Sequence, residues 1–212
     1  MTVVKICGLK TAEAVAAAVS HGADMVGFVF FPKSPRHIDP ADAAALAASV
    51  PAGVVKVGLT VDMDDAGLAA VVASGAIDML QLHGHETPAR AAEVRSQFGL
   101  PVMKALPIAG PDDVAAARAY EAVADRLLFD AKPPKNADRP GGNAVAFDWG
   151  LLAGTEWAVP WLLAGGLTPD NVAEAIRIAG APGVDVSSGV EAAPGVKDTA
   201  LIRAFLDAAH GA

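Results

Sequence analysis

A thiol, a carboxylate and a guanidinium stand where this chain could use them for acid–base chemistry. Cys7 closes the run Val3-Val4-Lys5-Ile6-Cys7 and is the single cysteine of the sequence. Free cysteine is most often a small buried hydrophobe. At the open end of a strand it is instead a candidate base or nucleophile, if its pKa of about 8.5 is drawn toward 7. Lys5, two residues earlier and on the same face of an extended chain, is expected to favour the thiolate. Such a thiol should be open to alkylation. Asp130 follows Leu127-Leu128-Phe129. A carboxylate there is either a solvated loop start or a general acid in a partly desolvated mouth; Phe129 reads as core. Arg36 follows Pro32 and Pro35, which restrict its loop. Its planar fork suits a carboxylate, the alternative being a solvated arginine. His83 ends Gln81-Leu82-His83 as a base, a hydrogen-bonding wall of a substrate pocket or a polar strand end. His37 and His85 read as exposed and Asp185 as structural. Metal-ligand spacings such as H-x-x-x-H are absent, so no metal is expected.

Two glycine turns near the C-terminus suggest what the chemistry acts on. Leu163-Ala164-Gly165-Gly166-Leu167 and Val186-Ser187-Ser188-Gly189-Val190 each follow an apolar run and lead toward a helix start. Glycines allow positive φ and close backbone approach, and a helix start offers free N–H groups. Gly165, Gly166, Ser188 and Gly189 are therefore expected to hold a phosphate by backbone donors. The formal net charge of −8 makes this local arrangement necessary, since the surface as a whole repels anions. The same charge excludes a nucleic-acid binder, which needs a basic stripe.

The elements that must position these groups are short and repeated. Apolar runs at 3–7, 25–30, 54–60, 77–82, 102–106, 126–130, 158–163 and 184–187 read as strands covered on both faces. Helices are predicted between them at 11–21, 40–49, 64–74, 88–98, 111–124, 147–152, 169–179 and 198–209. Thr11, Asp39 and Thr87 are placed to cap, and Pro40 and Pro88 suit a first helical turn. Eight βα units mean parallel strands with right-handed crossovers. With 212 residues, 53% hydrophobic, the chain suits one compact (β/α)8 TIM barrel domain over 1–212. The doubly wound alternative lacks its G-x-G-x-x-G fingerprint after the first strand. Cys7, Arg36, His83 and Asp130 then fall at the C-terminal strand ends, where barrels place catalysis. The long loop at 131–146, rich in Gly and Pro with Lys132, Lys135, Arg139, Gly141 and Gly142, is expected to order over a substrate. No apolar run reaches the roughly 20 residues of a membrane span, and no signal-peptide pattern opens the chain. One cysteine excludes an intrachain disulfide, and a cytoplasmic protein is expected.

Taken together, the motifs resemble those of the phosphoribosylanthranilate isomerases of tryptophan biosynthesis. The resemblance is carried by Lys5-Ile6-Cys7-Gly8-Leu9, Gly27-Phe28-Val29-Phe30, Lys33-Ser34-Pro35-Arg36, Gln81-Leu82-His83-Gly84, Asp130, Pro140-Gly141-Gly142, the Gly165-Gly166 turn and Asp185-Val186-Ser187-Ser188-Gly189-Val190-Glu191. It implies a cofactor-free Amadori rearrangement in a barrel, acting on a small phosphorylated substrate as a monomer or homodimer. The residue matching Asp130 would be the general acid, protonating the ring oxygen. That matching Cys7 would be the base, removing the C2 proton. Arg36 would hold the anthranilate carboxylate and the glycine turns the phosphate. The sequence departs from the family's pattern at Ala144, where a glycine is common. Two other readings stay open. A histidine-pathway phosphoribosyl aminoaldose isomerase runs the same chemistry but typically has an aspartate at Cys7. A non-catalytic phosphate-binding barrel gives no reason for Cys7 and Asp130 to share one mouth.

Overall fold

A computed structural model describes residues 2–132, 141 and 146–212. Lys135, Arg139, Gly142 and Ala144 of the sixth loop lie outside them. Eight strands form a closed parallel barrel in chain order: β1 (Val3–Cys7), β2 (Met25–Val29), β3 (Val55–Thr60), β4 (Met79–Leu82), β5 (Val102–Ile108), β6 (Arg126–Ala131), β7 (Trp161–Leu163) and β8 (Gly183–Val186). Pairing of Val4 with Val184 and of Lys5 with Asp185 closes the ring between β1 and β8. Among the described residues, seven α-helices lie between the strands and after the last: α1 (Ala12–Ser20), α2 (Pro40–Ala47), α3 (Asp65–Ala73), α4 (Pro88–Phe98), α5 (Pro111–Ala117), α6 (Val172–Ala179) and α7 (Thr199–His210). Thr11 and Thr87 cap α1 and α4 through their hydroxyls, whereas the Asp39 carboxylate makes no capping bond. No helix among the described residues is long and apolar enough to cross a membrane.

The predicted helix at 147–152 is a 3₁₀ turn at Trp149–Leu152. Gly150 within it and Gly154 just beyond, at φ +69°, discourage a longer helix. The short turn still buries Leu152 completely. That burial contributes about 1.5–3 kcal/mol. The seventh strand begins later than the predicted 158 because Pro160 has no amide to donate to the ladder. Helix α6 begins at Val172 rather than 169. Asn171 occupies the junction, its Oδ1 accepting from Thr168 N at 2.8 Å and its Nδ2 donating to Gly166 O at 3.0 Å.

Strand periodicity sorts the side chains. Val4, Ile6, Leu80, Leu82, Leu127, Phe129, Val184 and Val186 join the core between strands and helices. Phe129 is fully buried, its ring 4.7 Å from that of Trp157. Met25, Val57, Met79, Met103, Leu128 and Leu162 fill the barrel below the site. Cys7, Asp130 and Asp185 alternate with outward residues and so face inward above that plug.

Candidate active site

A cavity opens at the C-terminal ends of the strands. Cys7, Arg36, His83, Asp130, Gly165, Gly166 and Ser188 all line it. Gly189 does not. Its backbone packs against Leu167, whose carbonyl oxygen would overlap any added Cβ, so Gly189 holds the two glycine turns together. Gly165 and Gly166 have φ of +87° and +65°, conformations that L side chains rarely adopt. The Asn171 bond to Gly166 ties this turn to α6.

Cys7 is 2% exposed at the end of β1. Burial pushes its thiol above the ordinary value, and Asp185 adds to this; Lys5 and Lys197 pull the other way without prevailing. Lys5 does favour the thiolate, as its place on the same face suggests, but burial outweighs it and the net shift is upward. Lys5 is itself fully buried, and its Nζ donates to Asp185 Oδ1 at 2.7 Å. Burial lowers the lysine's pKa, but Asp185 and Cys7 raise it further, so Lys5 stays charged. Asp185 thus has a structural partner, as expected, while also facing the cavity.

Asp130, at the inward end of β6, accepts from Ala131 N through Oδ1 at 2.8 Å. Its Oδ2 lies 3.3 Å from His83 Nε2. Gln81 Nε2 donates to His83 Nδ1 at 2.9 Å. Gly141 lies over the pair. A Cβ there would stand 2.6 Å from His83 Nε2 and 2.7 Å from Asp130 Oδ2, so only glycine lets the backbone cover these groups.

Arg36 is buried, and Glu191 takes one edge of its guanidinium: Nε to Oε1 at 2.7 Å and Nη2 to Oε2 at 2.9 Å. Lys197 Nζ also donates to Glu191 Oε1, at 2.8 Å, and to Ser187 O at 2.8 Å. Burial raises the Glu191 pKa, but Arg36 and Lys197 outweigh it and hold the carboxyl below its ordinary value. The fork read from the sequence is thus matched by an internal carboxylate that aims it. Two short strands, β9 (Glu191–Ala193) and β10 (Val196–Lys197), form the hairpin that brings Glu191 and Lys197 together. Around Cys7, Lys5, Arg36 and Lys197 outnumber Asp185 and Glu191, which favours an anionic ligand in a chain of net negative charge.

Four buried side chains escaped the sequence reading. Gln81 was legible from its two-residue spacing to His83. Glu191 and Lys197 were signalled by Pro194-Gly195, a turn dipeptide between them. Lys104, bonded to Leu82 O, Gly84 O and Glu86 Oε2, carried no local signal. His85 is exposed as expected, but His37 is half-buried. Lys132 pairs with Asp113 at 3.3 Å. Among the described residues, no three His, Cys, Asp or Glu side chains are gathered as a metal would need.

Comparison with known proteins agrees with this layout. A family model described as N-(5'phosphoribosyl)anthranilate (PRA) isomerase matches residues 4–208. A protein of Paracoccus denitrificans (strain Pd 1222) named N-(5'-phosphoribosyl)anthranilate isomerase is 65% identical over 203 residues, spanning 96% of this chain and 94% of its own. A solved phosphoribosyl anthranilate isomerase in complex with reduced 1-(o-carboxyphenylamino)-1-deoxyribulose 5-phosphate superposes with a TM-score of 0.86 at 34% identity, covering 100% of both chains. Monomers of the dimeric enzyme from Thermotoga maritima match with a TM-score of 0.86 at 35% identity, again over 100% of both chains.

Proposed function

The chain belongs to the N-(5'-phosphoribosyl)anthranilate isomerase family, and from that premise we propose how its cavity carries out the reaction. The enzyme is an aldose–ketose isomerase of tryptophan biosynthesis. It converts N-(5-phosphoribosyl)anthranilate to 1-(2-carboxyphenylamino)-1-deoxyribulose 5-phosphate. This family assignment replaces the histidine-pathway and non-catalytic readings.

The observation that carries the site proposal is the order of groups around the rim. Asp130 ends β6, the glycine turns follow β7 and β8, Cys7 ends β1, and Arg36 lies in the loop after β2. A substrate with its phosphate at the β7 and β8 turns has its sugar flanked by an acid and a base. Its anthranilate carboxylate then reaches toward Arg36. In this arrangement Asp130 gives a proton to the furanose oxygen as the C1–O bond breaks. The anilino nitrogen supplies the electron pair that forms C1=N. The Cys7 thiolate then takes the C2 proton; the C2–H electrons become the C1=C2 bond, and the C1=N pair returns to nitrogen. The enolamine loses its hydroxyl proton and gains one at C1, giving the ketone. Ring opening places positive charge on the C1=N group beside Cys7, which favours the thiolate at the step that needs it. We also propose that the protein works as a monomer or homodimer. The test of function is direct. Purified protein should remove the fluorescence of freshly made phosphoribosylanthranilate without added cofactor; mere binding without turnover would contradict it.

Two further outcomes are expected. Arg36→Ala should raise KM by about tenfold to a hundredfold with a smaller effect on kcat, because the substrate carboxylate is charged throughout. Glu191→Gln should shift KM the same way, more weakly. A change confined to kcat would place Arg36 elsewhere in the mechanism. Inorganic phosphate should shift the backbone amide resonances of Gly165, Gly166 and Ser188, because oriented N–H groups hold it. Shifts confined to Lys132 and Asp113 would contradict that site.

A further inference from the structure

We infer that Gln81 is a positioning residue for catalysis: its side-chain amide fixes the tautomer of His83 so that the imidazole Nε2–H is aimed at Asp130. The inference rests on Asp130 being the general acid. Gln81 and His83 are two residues apart at the end of β4, so both side chains point into the barrel. Gln81 is fully buried. The amide nitrogen can only donate, and it faces His83 Nδ1 at 2.9 Å. Nδ1 is therefore the acceptor, and a neutral ring carries its proton on Nε2. That nitrogen lies 3.3 Å from Asp130 Oδ2. The other carboxylate oxygen already accepts from Ala131 N at 2.8 Å.

The arrangement suits an acid at the moment it gives up its proton. As Asp130 protonates the sugar oxygen, negative charge builds on its carboxylate. One donor waits at each oxygen, and such bonds tighten as charge develops. The opposite tautomer would turn a lone pair toward the new carboxylate and oppose the step. Stability alone does not account for the amide. Among the described residues, Gln81 Oε1 is buried without a hydrogen-bond partner. Such an atom costs stability that an apolar side chain of the same length would not. The one side-chain bond Gln81 makes among the described residues is the one to His83.

The test combines a spectrum and a mutant cycle. The ¹⁵N resonances of the His83 ring at pH 8 should show the proton on Nε2 in the native enzyme. Gln81→Met should give a mixture of tautomers. It should also lower kcat about tenfold to a hundredfold with KM nearly unchanged, the scale on which outer partners of a positioned histidine act. In a His83→Asn background the same substitution should cost nothing further. A native ring protonated on Nδ1 would overturn the inference, and that spectrum needs no variant. So would an unchanged kcat in Gln81→Met, or a loss that persists undiminished without His83. Full turnover by Asp130→Asn would instead remove the acid assignment, leaving the tautomer to be judged on its spectrum.

Discussion

Asp130→Asn is expected to lower kcat about 100- to 10,000-fold while KM stays nearly constant, the range that general acid catalysis supplies. That is roughly 3–5 kcal/mol of transition-state stabilisation. The loss has two parts. The amide has no acidic proton for the furanose oxygen. Its nitrogen, if turned toward His83, sets donor against donor where the native pair has a carboxylate 3.3 Å from Nε2. Ground-state binding rests on the phosphate turns and Arg36, which the substitution does not touch, so KM should hold. Substrate dissociation must be fast for KM to report binding, so the comparison belongs with single-turnover rates. Near-native turnover would remove Asp130 from the acid's role.

Cys7→Ser is expected to remove most activity, because a hydroxyl is a far poorer base than a thiol near neutral pH. Cys7→Asp should retain a fraction, since a carboxylate can accept the C2 proton. The structure revises the companion expectation of ready alkylation. Burial raises the thiol's pKa, and little of Cys7 meets solvent. The thiolate is the reactive form and grows as pH rises. Iodoacetamide should therefore react slowly at pH 7 and faster with pH, levelling only above the ordinary thiol value of about 8.5. A product analogue should protect against it, because Cys7 lines the substrate cavity. Complete alkylation without loss of turnover would make Cys7 structural. A plateau below pH 8 would contradict the raised pKa.

The strands were legible because each is short and nearly continuous in apolar character. Cys7, His83 and Asp130 were legible because they interrupt or end such runs on the inward side. Glycines announced the turns after β7 and β8, and the order of those turns between Asp130 and Cys7 followed from barrel connectivity. What was hidden depends on partners far apart in the chain. Nothing near Arg36 shows that its fork meets Glu191, 155 residues away. Nothing near Lys5 shows that its charge is committed to Asp185, 180 residues away. The sign of the Cys7 shift follows first from burial and then from the nearby Asp185, and both are tertiary facts. The close approach of Gly189 to the Leu167 carbonyl was hidden in the same way. The helix predicted at 147–152 is only a 3₁₀ turn because Gly150 and Gly154 disfavour a longer helix.

The central claim is that acid and base flank a sugar whose phosphate sits between them on the rim. A crystal structure of the protein with reduced 1-(2-carboxyphenylamino)-1-deoxyribulose 5-phosphate tests it most directly. The phosphate is expected on the N–H groups of Gly165, Gly166 and Ser188, with the carboxylate on Arg36. C2 is expected against Cys7 Sγ and the former ring oxygen against the Asp130 carboxyl. A ligand bound in the reverse sense, or with C2 out of reach of Cys7, would contradict it.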